Sequence, residues 1–295
     1  SLICYPFSKL FAVEFWNTAE RFLWCSHGIL SLMAIAIIPN TKIFHTIAST
    51  VNIALTDRDL RGKVKPMFVS KLMEDPDMDV EEVSLGSTKL EDFTWKQLLD
   101  SIACTECGRC TNVCPAYNTD KPLSPMKIII DIKHELNEKY LNKKEVNGIV
   151  GNPITETELW SCTTCGACME ECPVLINHIP TFTDMRRYLV LSEGKPHPQA
   201  AESLEKTMNT GNPWGFSKSE RTKWATDADI ELPLMSEKKE ADVLYWIGCA
   251  GSYDPRNQKV AKAMIKILEA ANIDYAVLGN EESCTGDSAR RLGEE

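Results

Sequence analysis

Eight of the twelve cysteines fall in two runs of identical spacing, each closed by a proline. The first run contains Cys104, Cys107, Cys110 and Cys114, and the second contains Cys162, Cys165, Cys168 and Cys172. In this CxxCxxCxxxCP pattern, three thiolates on a tight loop bind one 4Fe-4S cubane, and the fourth cysteine ligates the other cubane. The pattern therefore predicts two 4Fe-4S clusters. The first would be held by Cys104, Cys107, Cys110 and Cys172, and the second by Cys162, Cys165, Cys168 and Cys114.

Zinc is the alternative metal for paired CxxC motifs. A third cysteine at the same interval, followed by CP in both runs, favours iron–sulfur clusters over zinc. Gly108 and Gly166 are expected to let backbone N–H groups approach the cluster sulfides. Cubanes are one-electron carriers, so two in one domain would form a wire between a donor and an acceptor, in a reducing compartment.

Helices are expected to position the two runs. Apolar spacing predicts an amphipathic helix over 90–103 that ends at the first cysteine, and a second helix over 124–146 within the insert between the runs. This insert, 115–161, is much longer and less strand-rich than that of a bacterial-type ferredoxin. Residues 89–192 are therefore predicted to form an α-helical dicluster ferredoxin-like domain.

An uncharged apolar run extends from Phe22 to Ile38. It predicts a transmembrane helix at about 19–38, at the end of a membrane domain covering 1–50. A buried core helix and a cleaved signal peptide are the alternatives, but the charged Glu14, Glu20 and Arg21 precede the run and argue against a signal peptide. Residues 39–71 carry more Lys and Arg than Asp, which predicts that the chain enters the cytoplasm after the helix and places the cluster domains on that side of the inner membrane.

His27 lies within the apolar run, and His45 follows five helical turns later. If one helix continues through Pro39, both imidazoles share a face and lie about 27 Å apart. That separation suits two stacked haems, each with one further histidine from another helix. Alternatively, His27 hydrogen-bonds a neighbouring helix and His45 lies at the membrane interface. Pro39 weakens the haem interpretation because proline can kink a helix.

The remaining chain is divided into two connectors and a C-terminal unit. Residues 51–88 are predicted to be a cytoplasmic linker because 74–82 are strongly acidic, and 193–240 a second linker because they are rich in glycine and proline. Residues 241–295 have a β–α–β pattern typical of a parallel α/β unit. Cys249 and Cys284 both follow predicted strand ends, where such folds place their sites, so a shared site is favoured over two unrelated cysteines.

Composition limits the functions that the chain can have. A net charge of −10 argues against nucleic-acid binding, and 43% hydrophobic with 25% charged residues is typical of a folded chain. The sequence lacks an initiator methionine, so we expect a fragment of a longer, multidomain protein.

Taken together, these residues resemble the membrane-bound iron–sulfur oxidoreductases related to the catalytic subunit of heterodisulfide reductase. Those proteins fuse a haem b membrane domain, like the gamma subunit of respiratory nitrate reductase, to a dicluster domain and two cysteine-rich repeats. The resemblance is carried by CSHGILSLMAIAIIPNTKIFH, the two cysteine runs, YWIGCAGSYDPRNQKVAKAMIKILEAANIDY and EESCTGDSARRLG. It implies haem b ligation by His27 and His45, which match the family's haem-ligand histidines.

In the family's cysteine-rich repeat, a CCG motif follows the first cysteine by thirty-odd residues. Cys249 and Cys284 match this repeat, but Thr285 stands where the second cysteine of CCG would be. The resemblance therefore implies a degenerate, truncated CCG-type repeat. Cys249 and Cys284 would be ligands of an additional cluster, and a non-cubane 4Fe-4S cluster would lie mainly in the missing C-terminal part.

The function that the resemblance implies is respiratory electron transport. A soluble cytoplasmic donor, electron-transfer flavoprotein or another redox protein, would exchange electrons with menaquinone or ubiquinone in the membrane. One alternative is a disulfide reductase or hydroxy-acid oxidase iron–sulfur subunit with the same wiring. Another is a non-catalytic, membrane-anchored redox subunit without haem.

Overall fold

The computed structural model describes residues 13–38, 41, 43–56, 63–67 and 85–295. Helices dominate these residues, and a single parallel pair of short strands lies near the C-terminal end of the described chain. The acidic segment 74–82, expected as a connector, lies outside the described residues.

The N-terminal part contains two helices, α1 (Val13–Ile37) and α2 (Phe44–Ala54). Within α1, Asn17–Ile37 is long and apolar enough to cross a membrane, and none of its most apolar stretch is buried. Length and composition alone are weak evidence for a span, because signal sequences and core helices share them. The condition for placing His27 and His45 on one continuous helix is not met, because α1 ends before Pro39 and α2 starts anew.

Between α2 and the C-terminal unit lies a helical domain with one main apolar core. Its helices are α3 (Trp95–Ala103), α4 (Arg109–Asn112), α5 (Pro125–Tyr140), α6 (Glu156–Trp160), α7 (Ala167–Glu170) and α8 (His178–Arg187). The predicted helices over 90–103 and 124–146 are present in shorter form as α3 and α5, because a turn at Leu90–Asp92 precedes α3 and the chain leaves the helix after Tyr140.

Helices α5 and α8 hold this domain together. Ser124 caps α5 by accepting a hydrogen bond from the Lys127 N–H, and Pro125 occupies the first turn, where its missing N–H is not needed. Ile128 and Ile132 of α5 are fully buried in the main core beside Phe182 of α8. Burial of each such side chain is worth about 1.5–3 kcal/mol, so packing rather than strand pairing stabilises the domain.

The expected linker 193–240 is not a simple connector. It contains α9 (Pro198–Thr210), α10 (Lys223–Thr226) and α11 (Met235–Lys238). Trp224 is 3% exposed and packs in the core of the C-terminal unit, and Leu234 forms a bridge with Val277. The glycines and prolines of this segment therefore lie at the ends of these helices and in the turns between them. The second half of the segment is part of the C-terminal unit.

The C-terminal unit has the predicted β–α–β order. Strand β1 (Val243–Leu244) pairs in parallel with β2 (Tyr275–Ala276), and α13 (Pro255–Ala270) makes the connection after the short α12 (Gly248–Tyr253). A last short helix, α14 (Asp287–Arg291), follows. Both strands are shorter than expected, because only two residue pairs are in register.

Candidate iron–sulfur centre

The two cysteine runs have matching backbone conformations. Glu106 and Thr164, each immediately before the second cysteine of its run, have φ of 56° and 55°, and Gly108 and Gly166 have φ of 78° and 84°. Each glycine starts a one-turn helix, α4 or α7, that carries the third cysteine into the interior. A Cβ at Gly108 would meet nothing within 4 Å, so the left-handed φ, rather than close approach, accounts for this glycine.

The structure gathers the eight cysteines around two cavities. One is lined by Cys104, Cys107, Cys110 and Cys172, and the other by Cys114, Cys162, Cys165 and Cys168. The empty volumes are about 300 and 310 Å³. Each cavity thus takes three cysteines from one run and the fourth from the other, which is the crossed grouping that the spacing predicts.

The shape of these sites suits an inorganic core larger than one ion. Within the described part of the chain, no group of three or more His, Cys, Asp or Glu side chains is packed tightly enough to hold a single metal ion. Backbone N–H groups point at two of the sulfurs: Thr164 N lies 3.4 Å from Cys162 Sγ, and Ile176 N lies 3.4 Å from Cys172 Sγ. Such N–H donors stabilise thiolate sulfur in iron–sulfur proteins.

Burial raises the pKa of four of the thiols, those of Cys104, Cys110, Cys162 and Cys168, and makes them difficult to ionise without a metal. Burial and the neighbouring Cys104 and Cys172 thiols raise the pKa of Cys110 to about 11, and burial with its own neighbours raises the pKa of Cys168. Four thiolates crowded together repel one another, so a positively charged core is needed to hold them ionised. The residues present therefore fit a 4Fe-4S cubane in each cavity.

Helix α2 fixes the segments that carry the first set of cysteines. Ser49 Oγ donates a hydrogen bond to the carbonyl of Ala103, next to Cys104. Asn52 is fully buried, and its Nδ2 donates to Asp100 Oδ1 and to the carbonyl of Val174, both at 2.9 Å. Helix α2, which follows the apolar α1, is therefore hydrogen-bonded to the chain close to both Cys104 and Cys172.

The C-terminal unit contacts the loop of the second set instead. Arg291 Nη1 donates to the carbonyl of Thr164 at 3.3 Å, and the carbonyl of Arg291 accepts a hydrogen bond from Arg186 Nη1 at 2.9 Å. Gly293 packs directly on the backbone of Arg186, where a Cβ would come within 2.6 Å. The two cavities therefore face opposite neighbours: α2 at the first and the C-terminal unit at the second.

Cys249 and Cys284 both belong to the C-terminal unit. Both are half-buried, and burial, with a smaller contribution from Cys284, raises the pKa of the Cys249 thiol. Cys249 Sγ also lies 3.3 Å from Nη2 of Arg221, whose Nη1 pairs with Glu282 at 2.7 Å, and both charged side chains are 2% exposed. The Glu282 carboxylate accepts the N–H groups of Ile247 and Gly248, which orients the loop that carries Cys249.

His27 and His45 are not brought together by the described residues. His27 is exposed on α1, and His45 is half-buried on α2, in the next helix. Their role as haem ligands stays a prediction.

Four buried polar residues of these sites were not found from the sequence. They are Asn52, His178, Arg186 and Arg221. His178 lines the first cavity, is 1% exposed and has no hydrogen-bond partner at Nδ1, and burial lowers its pKa to about 4, so it is neutral at pH 7. The sequence did not indicate these residues, because single buried polar residues have no recognisable sequence pattern.

Comparison with known proteins supports the assignment of the two cysteine-rich parts. Residues 100–176 match the family profile of the 4Fe-4S dicluster domain, and residues 243–295 match that of the cysteine-rich domain CCG. The chain therefore contains a 4Fe-4S cluster-binding domain followed by a CCG cysteine-rich domain.

The chain is also similar to several curated proteins. The chain is 36% identical, over 92% of its length, to the "Probable iron-sulfur-binding oxidoreductase FadF" of Bacillus subtilis (strain 168), and 35% identical, over 98%, to the EtfAB:quinone oxidoreductase of Syntrophomonas wolfei subsp. wolfei. It is 43% identical, over 74%, to the "Probable membrane-anchored ferredoxin" of Chromohalobacter salexigens. The chain spans less than half of each relative: 43%, 44% and 35% of their lengths, respectively.

Proposed function

We propose that this chain is the electron-transferring part of a membrane-bound, quinone-linked iron–sulfur oxidoreductase. It would connect a soluble cytoplasmic donor, electron-transfer flavoprotein by preference, to menaquinone or ubiquinone in the inner membrane. One-electron exchange is the chemistry that the clusters supply when bound. Two such transfers, with two protons, convert one quinone to quinol, which balances the reaction.

The observation that carries this proposal is the position of the two cysteine cavities. Residues of α2 bind the segments around Cys104 and Cys172, and α2 directly follows the helix that can cross a membrane. Residues of the CCG domain bind the loop of the second set, at Thr164. The order along the molecule is therefore α2, first cavity, second cavity, CCG domain, and this order supports a wire whose membrane end would be at α1.

Two relatives support the partners. The protein of Syntrophomonas wolfei is named for EtfAB and quinone, and the protein of Chromohalobacter salexigens is named as membrane-anchored. By analogy, we assign the CCG domain to the donor side and α1 to the quinone side. His27 and His45 would each supply one ligand to a b haem, and Cys249 with Cys284 would belong to an additional cluster near the donor.

The chain's own residues would then hold and insulate the redox groups. Six of the eight cavity cysteines are at least partly buried, and apolar residues such as Ile129, Ile179 and Phe182 line or pack against the cavities. This low-polarity lining limits access of water to the clusters and restricts exchange to the two ends of the domain.

The test is made on the full-length protein purified from membranes. Haem by pyridine haemochrome and non-haem iron are measured first, and then quinone reduction by reduced electron-transfer flavoprotein is followed. We expect two b haems, at least about eight non-haem irons and turnover that His27→Ala reduces while iron is retained. Full iron with no haem and no quinone reduction would contradict the proposal.

A second candidate is a non-catalytic, membrane-anchored redox subunit, favoured by the 43% identity to the membrane-anchored ferredoxin. In that case, the purified protein would contain iron but no haem. It would accept electrons from the flavoprotein, and it would reduce quinone only when another subunit is added.

A further inference from the structure

Arg186 is a buried cation whose hydrogen bonds all go to backbone carbonyl groups. Its side chain is 3% exposed, and its guanidinium donates to Leu159 O at 2.6 Å, Cys162 O at 2.5 Å and Arg291 O at 2.9 Å. Trp160 covers it, with the ring centroid 5.3 Å from Cζ. Because carbonyl dipoles satisfy the N–H groups but do not cancel a full charge, this arrangement leaves a net positive charge in the interior.

The other two buried arginines are paired differently. Arg187, next along α8, binds the carboxylates of Asp184, at 2.7 Å, and of Glu295, and Arg221 binds Glu282 at 2.7 Å. Among the described residues, no carboxylate forms an ion pair with Arg186, and one of its hydrogen bonds goes to the carbonyl of Cys162, whose side chain lines the second cavity. Some other negative charge must therefore offset Arg186.

The second cavity supplies that charge. Its four thiolates, gathered from Cys162, Cys165, Cys168 and Cys114, give a cubane a net negative charge that increases by one on reduction. At the first cavity the cations are Arg109, which is exposed to solvent, and Lys133 near Cys104, which pairs with Glu106 at 3.0 Å and is partly solvated. A buried, uncompensated charge acts more strongly than a solvated, paired one.

We propose that Arg186 is a positioning residue that raises the reduction potential of the second cluster by acting as its fixed internal counter-charge. Since the guanidinium remains protonated at all accessible pH values, this effect does not depend on pH. The inference rests on the proposed function in one respect, namely that a cluster occupies the second cavity. It does not depend on the identity of the donor or on quinone.

The same side chain connects the second cluster to the CCG domain. The Arg186 fork binds Cys162 O in the cluster loop and Arg291 O in α14 at once. Movement of α14 would therefore withdraw one of the acceptors that hold the charge in place. The CCG domain, which we assign to the donor side, would in this way influence the reduction potential of the second cluster.

The test is a redox titration of the full-length protein followed by EPR, with Arg186→Gln and Arg186→Lys compared with the wild type. The two clusters are assigned with Cys107→Ser and Cys165→Ser, each of which alters one of them. In Arg186→Gln, we expect the midpoint potential of the second cluster to become more negative while that of the first is unchanged. Arg186→Lys keeps the charge and should shift the potential less.

Arg187→Gln is the matched control, because it removes a buried arginine of the same helix that is already paired with carboxylates. Because Arg187 makes no hydrogen bond to the cluster loop, this variant should shift the second potential much less than Arg186→Gln does. The proposal is overturned if Arg186→Gln retains full iron with an unaltered second potential, or if Arg187→Gln shifts that potential equally.

If Arg186→Gln does not assemble the second cluster, that cluster has no midpoint potential to measure. The iron content and EPR signals of the variants then test whether the charge of Arg186 matters. Retention of that cluster by Arg186→Lys, with its loss in both Arg186→Gln and Arg186→Met, supports a role for the charge. If Arg186→Lys also loses the second cluster, the hydrogen bonds of the guanidinium matter rather than its charge, and the proposal is overturned. These readouts use chemical reductants, so a failure of flavoprotein or quinone reactivity leaves them unaffected.

Discussion

The contact between α2 and the cluster domain can be broken by one substitution, Asn52→Ala. Asn52 is fully buried, and its side chain joins three groups: Nδ2 donates to Asp100 Oδ1 and Val174 O at 2.9 Å, and Oδ1 accepts from Lys96 Nζ at 2.8 Å. Because Lys96 and Asp100 remain paired at 2.7 Å without it, the largest loss is at the carbonyl of Val174.

The magnitude follows from these contacts. A buried polar group left without a partner costs about 1–3 kcal/mol, and Asp100 loses one of its neutral donors in addition. We therefore expect α2 docking to weaken by about 2–3 kcal/mol, which raises the undocked population about 30- to 150-fold. The effect should be local, because Asn52 makes no side-chain hydrogen bond to the main core of the domain.

Hydrogen–deuterium exchange of the full-length protein measures this directly. Amides of α2 should exchange faster in Asn52→Ala by about the same factor, while amides of α5 stay protected. Thr50→Ala is the matched control, since Thr50 is exposed on the same helix and bonds only to the carbonyl of Thr46. Equal exchange of α2 in the two variants would refute the reasoning that Asn52 holds this helix to the cluster domain.

Three further results are expected. Cys114→Ala should abolish the EPR signal of the second cluster and spare the first, since the ligands cross over; loss of the first signal alone would disprove the assignment. Arg221→Met should lower the unfolding free energy of the C-terminal unit by about 3–5 kcal/mol in denaturant titrations, because the buried Glu282 loses its ion-pair partner; the double variant with Glu282→Leu should recover only part of this loss, since Glu282 also accepts the Ile247 and Gly248 N–H groups, and an unchanged unfolding free energy in Arg221→Met would count against the pair. Burial opposes the ionisation of Glu158, but hydrogen bonds from Thr155 and Lys127 together hold its pKa below 4.5. The stability it confers is therefore present above pH of about 4.5 and lost as the pH falls through its lower folded pKa, and Glu158→Gln should flatten thermal stability over that acid range, whereas an unchanged acid profile would count against it.

The cysteine grouping could be predicted from the sequence because it follows from local spacing. Three cysteines in seven residues must line one loop, and a proline after the fourth turns the chain away, so only the crossed sets remain. The α13 helix and the parallel strands were predictable for a similar reason, since hydrophobic periodicity is a local property. Ligation by iron and the haem assignment of the histidines stay predictions.

Other features depend on contacts between distant segments. Asn52 binds Val174, and Arg186 binds Arg291, and nothing in the local sequence of either residue indicates burial. At Trp224 a local pattern was present but misleading. The glycines and prolines around this residue predicted a linker, but its large apolar side chain packs in the core of the C-terminal unit. Left-handed backbone at Glu106 and Thr164 was likewise not predictable, because these residue types rarely adopt it.

The exposure of Cys107 and Cys165 has a consequence for how the protein matures. The other six cysteines of the two sets are buried or half-buried, so the second cysteine is the most accessible thiol of each cavity. This exposed thiol would be the first ligand available to an incoming cluster, and the buried cysteines would complete the ligand set. Because oxidation of a thiol follows its exposure, the same two cysteines would also be the first of the eight to be oxidised, so cluster insertion and oxidative damage would begin at the same residue in each set.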